Sequence, residues 1–284
     1  MISDIHPIAM TATRTLPRNR AMLRYSLLAE ARHGFRNNQF CLMFQPRVSL
    51  PGKTVVGFEA VLYWQHPRIG LLAPSQFIED LESSTLSAQL ARFLLTESVL
   101  RVAEWRSRGL GKLFVSIGMP GAEIVREGFA SQVEHILKWY DIEPSSLEVA
   151  LTDRTDYSVF PTLESDLLPL QQLGVRLALD HFGTGFASLN VFRRFPFSTV
   201  KLDRSCLSGA PQDPVAREVV ESFAALCKRV ERSAVIDGVE HESQLEWLSA
   251  LSHGEVQGPL ISSPVQAGEV DEFVARTNGI ELVT

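Results

Sequence analysis

The sequence predicts a parallel α/β barrel, about eight strands alternating with helices. Three observations predict it. Short apolar, strand-like runs alternate with amphipathic, helix-like stretches along most of the chain. The 284 residues would allow two domains by length alone, but one barrel uses that length and explains the strand number better. No glycine-rich dinucleotide or triphosphate fingerprint opens a helix, which disfavours the doubly wound alternative.

The elements follow in order. Residues Ile5 to Leu28 carry Arg14, Arg18, Arg20 and Arg24 and no acid. This basic stretch reads as an N-terminal tail (1–21) leading into a helix, with a docking arm for an acidic surface as the sharper alternative. Residues 22–284 read as one domain. Cys41–Phe44 and Val55–Phe58 are the first strands. Thr85 to Gly109 is helical, because Leu86, Leu90, Phe93, Leu94 and Leu100 recur at helical spacing and Arg106, Arg108 and Gly109 give a basic end and a stop. Leu113–Ile117 and Leu147–Leu151 are strands separated by a second helical stretch. Leu163–Leu173 is a helix ending at Gly174, with Pro169 inside it counting against. Val175–Asp180, Thr199–Leu202, Ala234–Ile236 and Glu255–Val256 are strands, Val215 to Val230 a long helix, and Val265 to Thr277 a final helix.

Composition narrows the function. Hydrophobic residues make up 45% and charged residues 21%, the balance of a folded globular chain. No apolar run is long enough to span a bilayer, and Met1 to Met10 lacks the pattern of a secretory signal. The net charge of -6 argues against duplex nucleic acid as a partner, whereas small anionic ligands remain compatible with it. Cys41, Cys206 and Cys227 have no metal-type spacing and read as reduced thiols, so a cytoplasmic protein is expected.

Residues at the C-terminal ends of barrel strands line the active face. Glu59, Gly118, Ala150, Asp153, Asp180, His181, Lys201, Asp203, Asp237, Glu240 and Gln257 fall at or just beyond those ends. Carboxylates gathered there would suit a hard divalent cation, and a lysine would neutralise phosphate or orient water. Each alone could be a solvated strand end; the set points to a functional site or the relic of one. Gly183-Thr184-Gly185 allows a tight turn that could reshape around a ligand or partner, or serve only as a loop.

Several segments carry a family resemblance. They are Phe44-Gln45-Pro46-Arg47, the run Gly57 to Pro67, the run Leu177 to Leu189, Val200-Lys201-Leu202-Asp203-Arg204-Ser205, Asp237-Gly238-Val239-Glu240 and Val256-Gln257-Gly258. Together, and in order from about Leu23 to Thr277, they resemble the EAL domain, the bacterial phosphodiesterase of cyclic di-GMP. The resemblance implies a modified (β/α)₈ barrel with an antiparallel first strand and Mg²⁺- or Mn²⁺-dependent opening of the cyclic dinucleotide.

Carried over residue by residue, the resemblance keeps Glu59 as the namesake acid, Asp180 as the first of the paired aspartates, Lys201 as the catalytic lysine, and Glu240 and Gln257 as later site residues. Asp237 stands for a glutamate and Asp153 for the glutamate supporting the mobile loop. The departures fall on the chemistry. Gly118 replaces a metal-binding asparagine, Ala150 a metal-binding glutamate and His181 the second aspartate. Tyr63 replaces the arginine that holds the substrate phosphate.

Three readings follow. The first is a degenerate, catalytically inactive EAL regulator that needs no metal and works through a protein partner, homodimerisation being a further family expectation. The second is a receptor that binds cyclic di-GMP through Gln45, Asp180, Glu240 and Gln257 without cleaving it, with Tyr63 offering a stacking face. The third is a weak metallohydrolase in which Glu59, Asp180, Asp237 and His181 hold one Mn²⁺ or Zn²⁺. Under the first reading Glu59, Lys201 and Asp237 are relics of catalysis, and Glu59, Gly118, Ala150, Asp180 and His181 are relics of metal binding.

Overall fold

The computed structural model describes residues 20–152, 161–184, 189–251 and 253–278. They divide into two compact units, a smaller one of residues up to Cys41 plus Leu62–Leu86, and a larger one of Leu42–Val61 and the chain from Ser87 on.

The smaller unit holds helix α1 (Arg20–Arg36), the start of β1 (Phe40–Ser49), the end of β2 (Val55–His66), strand β3 (Gly70–Leu72) and the short helix α2 (Ile78–Glu82). β3 folds back antiparallel on β2, pairing Trp64 with Leu72. Aromatic rings fill its interior: Phe40 stacks on Trp64 with centroids 4.8 Å apart, and Phe77 meets Trp64 edge-on at 5.7 Å. Buried His66 accepts the backbone N–H groups of Arg68 and Ile69 at Nδ1, so Nε2 carries the proton and donates to Glu30 of α1 at 2.9 Å.

The larger unit is a closed barrel of eight strands. Its members are β1, β2, β4 (Phe114–Met119), β5 (Leu147–Leu151), β6 (Arg176–Phe182), β7 (Thr199–Leu202), β8 (Ser233–Ile236) and β9 (Glu255–Val256). From β2 through β4 to β9 every neighbouring pair is parallel, and β1 closes the ring antiparallel to β9 while also pairing with β2. The antiparallel first strand matches the expectation. A short strand β10 (Val265–Gln266) adds to the outside of β1.

Helices α3 (Ser87–Ser107), α4 (Gly121–Ile124), α5 (Phe129–Trp139), α6 (Leu163–Leu173), α7 (Leu189–Arg194), α8 (Pro214–Arg229), α9 (Glu242–Leu248) and α10 (Val270–Asn278) complete it. Local sequence explains their limits. Asp213 caps α8 by accepting the Val215 N–H at 2.9 Å, with Pro214 in the first turn. α6 continues through Pro169 because Leu163, Leu167 and Leu170 are buried, and it stops where Gly174 takes φ of 95°.

Every predicted strand is present, with two corrections. Val265 does not start the last helix: Val265 and Gln266 extend the sheet, and α10 begins at Val270. Two residues, one apolar and one polar, cannot distinguish a helix start from a strand; pairing with Met43 and Phe44 decides it. β2 does not end before Glu59 but runs on to His66, since its second half pairs with β3 rather than with the barrel.

Candidate functional site

Strand periodicity builds two polar layers inside the barrel. Side chains two residues apart on one strand share a face, so Arg47, Ser116, Glu148, Ala178, Thr199 and Glu255 lie one step below Gln45, Gly118, Ala150, Asp180, Lys201 and Gln257. One cavity is lined by members of both layers, from Arg47 and Glu148 up to Glu59, Asp180 and Lys201.

The lower layer is closed on itself. Arg47 bridges Glu148 and, through Nε at 2.8 Å, Glu255. Thr199 donates to Glu148 at 2.8 Å, Ser233 donates to Glu255 at 2.9 Å, and Arg176 lies 3.7 Å from Glu148. The Phe114 ring meets the guanidiniums of both Arg47 and Arg176, at 4.7 and 4.0 Å from its centroid. Gly57 makes room for that ring, because a Cβ there would approach it to 2.6 Å. Burial acts to raise the Glu148 carboxyl, but the two arginines and the hydroxyl donors outweigh it and hold it below the usual range.

The upper layer is thinner. Lys201 Nζ donates to Glu59 Oε2 at 2.6 Å and lies 3.5 Å from Asp237 and 3.8 Å from Asp180. Gln257 donates to the same Glu59 oxygen at 2.6 Å and to Gln45 at 3.1 Å, and Gln45 in turn reaches the Ser262 carbonyl at 3.5 Å. The amide oxygen of Gln257, a residue only 1% exposed, has no partner among the described residues. Gly118 and Ala150 complete the wall without a donor atom.

Charge is unbalanced here, three carboxylates against one ammonium. Burial raises the Asp237 carboxyl and its neighbours Glu59 and Asp180 raise it further, so it stays above the usual range despite Lys201. Burial also acts on Glu59, yet Lys201 and the two hydrogen bonds hold it low. Burial opposes the charge on Lys201, but the three carboxylates prevail and keep it protonated well beyond neutral pH.

His181 follows Asp180 with φ of 54°, in the left-handed region. Its N–H donates to Asp180 at 2.7 Å and its Nδ1 meets Asp203 Oδ2 at 3.1 Å. Asp203 therefore does not join Lys201; its other oxygen accepts from the Ser205 N–H and hydroxyl at 2.9 and 2.6 Å.

Of the residues marked in the sequence, Gln45, Glu59, Asp180, Lys201, Asp237 and Gln257 come together. Glu240 is exposed, and its backbone N–H donates to Gln244 at 2.9 Å. Tyr63, on the smaller unit's part of β2, is half-buried, its phenol pushed up by burial and by Cys41. Asp153 and Gly185 lie outside the described residues. The lower layer was missed altogether, although the residue two before each strand-end position would have found most of it.

The Mg²⁺ or Mn²⁺ that the resemblance implies would need several oxygen donors at this mouth. Gly118 and Ala150 supply no ligand, His181 Nδ1 is engaged by Asp203, and an ammonium stands among the three remaining carboxylates. Among the described residues no group of three or more histidine, cysteine or acidic side chains could hold a metal ion. The residues present do not fit a two-metal centre. Nor does an asparagine drop into position 118 freely, since a Cβ there would lie 2.9 Å from the Thr152 methyl.

Comparison with known proteins bears on the same region. The EAL domain family matches residues 28–264. The bifunctional diguanylate cyclase/cyclic di-GMP phosphodiesterase MucR of Pseudomonas aeruginosa is 30% identical over 258 residues, 90% of this chain and 37% of MucR. The cyclic di-GMP phosphodiesterase NbdA of the same organism is 30% identical over 256 residues, 90% of this chain and 33% of NbdA. The chain thus spans about two fifths or less of these relatives. Among solved structures, the MucR phosphodiesterase in complex with c-di-GMP superposes with a TM-score of 0.80 at 29% identity, covering 86% of this chain and 99% of that one. The EAL enzyme Bd1971, bound to cAMP and cyclic di-GMP, gives 0.83 at 26% identity, covering 89% and 69%. No helix among the described residues is long and apolar enough to cross a membrane. A family match over most of the length and an eight-stranded barrel with one antiparallel strand agree, and the chain belongs to the EAL domain family.

Proposed function

We propose that this chain is a bacterial cytoplasmic regulator in cyclic di-GMP signalling that does not hydrolyse the dinucleotide, needs no Mg²⁺ or Mn²⁺, and acts by binding a protein partner. The observation that carries this reading is the mouth of the barrel. Two ligand positions of the family hold Gly118 and Ala150, and the remaining carboxylates face the ammonium of Lys201. Phosphodiester cleavage by two metals needs both ions to bind the attacking and leaving oxygens. Loss of several ligands together removes that clamp, at a cost of several orders of magnitude in rate. The test incubates the purified chain with cyclic di-GMP and millimolar Mg²⁺ or Mn²⁺ and follows linear dinucleotide. No product above the buffer control is expected. Product that disappears in Glu59→Ala would overturn the reading.

A second reading, a receptor that binds cyclic di-GMP intact, is supported by one feature. Gln45 and Gln257 are retained, and the buried Gln257 oxygen is an unpaired acceptor suited to a ligand N–H. Its likeness to a MucR domain solved with c-di-GMP adds to it. Calorimetry against cyclic di-GMP with chelator present separates the two readings. Heat abolished by Gln257→Ala would favour the receptor, and no heat at ligand well above micromolar would favour the protein partner.

A further inference from the structure

The end of the barrel opposite the mouth gathers positive charge. Three neighbouring loops enter the strands there, from α7 to β7, from α8 to β8 and from α9 to β9. Arg193 and Arg194 close α7, Lys228 and Arg229 close α8, and all four are exposed. Glu231 is the acid among the described residues of these loops. A helix end draws cations through its dipole, which accounts for each pair alone. It does not account for the two ends being held together. Arg232 holds them. Its guanidinium donates to the carbonyls of Phe192 and, at 3.2 Å, Phe195, which bracket Arg193 and Arg194, and it lies 4.4 Å from the Phe192 ring centroid. The Ser233 N–H donates to the Ser198 carbonyl at 2.8 Å, and His253 of the third loop donates to the Arg232 carbonyl at 2.8 Å. Two cation-bearing loops are thereby fixed side by side in a chain of net charge -6. Arg194 meets Glu164 at 2.8 Å, whereas Arg193 and Arg229 have no ion-pair partner among the described residues. Val230, 45% exposed, lies next to Arg229.

We infer that this sector of the far end is a docking surface for an acidic segment of a partner protein, with Arg193 and Arg229 supplying the cations and Val230 an apolar contact. The inference rests on the protein-partner reading and names the chemistry of that partner. A guanidinium presents a planar fork of donors that matches a carboxylate. Duplex nucleic acid is the poorer occupant, because its charge runs along an extended track while these cations span a few loops of an otherwise acidic surface. A bilayer is poorer still, because Val230 alone gives little apolar surface to insert. The surface lies away from the mouth, so its use does not depend on what the mouth holds.

The experiment follows the anisotropy of a fluorescein-labelled oligoglutamate peptide titrated with the full chain, at low and at physiological ionic strength, with oligoglutamine as the control peptide. Oligoglutamate is expected to bind at low salt at least about tenfold more tightly than oligoglutamine, and to weaken as salt rises. Arg193→Gln/Arg229→Gln is expected to weaken that binding about three- to tenfold, as for two surface charge pairs, and to keep Tm within about 1 °C of wild type. Lys53→Gln/Lys112→Gln, on the loops entering β2 and β4 across the ring, is expected to change the affinity less than about twofold. Absence of oligoglutamate binding at low salt would overturn the inference, as would binding indifferent to Arg193→Gln/Arg229→Gln or weakened equally by the lysine pair. Tighter binding of duplex DNA or of phosphatidylserine vesicles than of oligoglutamate at the same ionic strength would overturn it too. Cleavage of cyclic di-GMP is scored separately: cleavage defeats the functional reading, whereas failure of the peptide to bind defeats this inference alone.

Discussion

The two polar layers of the barrel interior differ in how completely they are paired. The lower layer sets Arg47 and Arg176 against Glu148 and Glu255, backs them with Thr199 and Ser233, and brings both guanidiniums onto the Phe114 ring. The upper layer sets three carboxylates against Lys201 and leaves Gly118 and Ala150 as bare wall. The layers are one side-chain step apart. The lower one neutralises its buried charges internally, as a scaffold must. The upper one carries excess negative charge, with Glu59 and Asp237 partly exposed beside the buried Asp180. The contrast separates the layer that braces the barrel of this EAL domain from the layer at its mouth.

Breaking the lower layer should cost most. Arg47→Met leaves Glu148 and Glu255 without their shared partner, and an unfolding titration should show a loss of about 3–5 kcal/mol. A loss below ~1 kcal/mol would mean that the lower layer is not the better-paired one.

Acid should attack the same layer. The Glu148 carboxyl is held below its ordinary value, so its contribution is complete above its unfolded pKa of about 4.3 and is lost as pH falls through the lower folded value. Asp203, lowered by Ser205 and His181 against the opposing effect of burial, behaves the same way. Asp237 has the opposite sign: its raised carboxyl carries a penalty above its folded pKa that protonation relieves. Thermal unfolding from pH 7 to pH 3 should therefore show an acid limb below about pH 4 that flattens in Glu148→Gln. A limb unchanged by that substitution would shift the acid sensitivity elsewhere.

Refilling the upper layer is the third comparison. Gly118→Asn should destabilise by about 1–3 kcal/mol through overpacking against the Thr152 methyl. Gly118→Asn/Thr152→Ser should recover most of it, because the two positions touch and their effects couple. Additive losses would show that the methyl is not the obstacle.

The smallest effect is the most diagnostic. Asp237→Asn removes one of three acids around one ammonium and keeps the oxygen that accepts the Gly238 N–H at 2.8 Å. At pH 7 it should raise Tm by ~2 °C, and the gain should fade as pH drops and the wild-type carboxyl protonates. A lowered Tm would mean that the upper layer is charge-balanced after all.

The amino-acid sequence by itself determined the elements and the family. Helical and alternating periodicities are local, so the runs at Leu147–Leu151 and Thr199–Leu202 and the helix Leu163–Leu173 stand where the pattern places them. Glu59, Gly118, Ala150, Asp180, Lys201, Asp237 and Gln257 were legible for the same reason: each sits at a fixed offset from its strand. Their partnerships were not. Lys201 and Glu59 meet across 142 positions, Arg47 and Glu148 across 101, and Gln257 and Gln45 across 212. Asp203 turns to His181 instead of Lys201, and Val265 joins a sheet instead of a helix, both because of groups distant in sequence. Only closure of the barrel decided these, because hydrogen bonds and charge contacts depend on separations of a few ångströms that local periodicity does not encode.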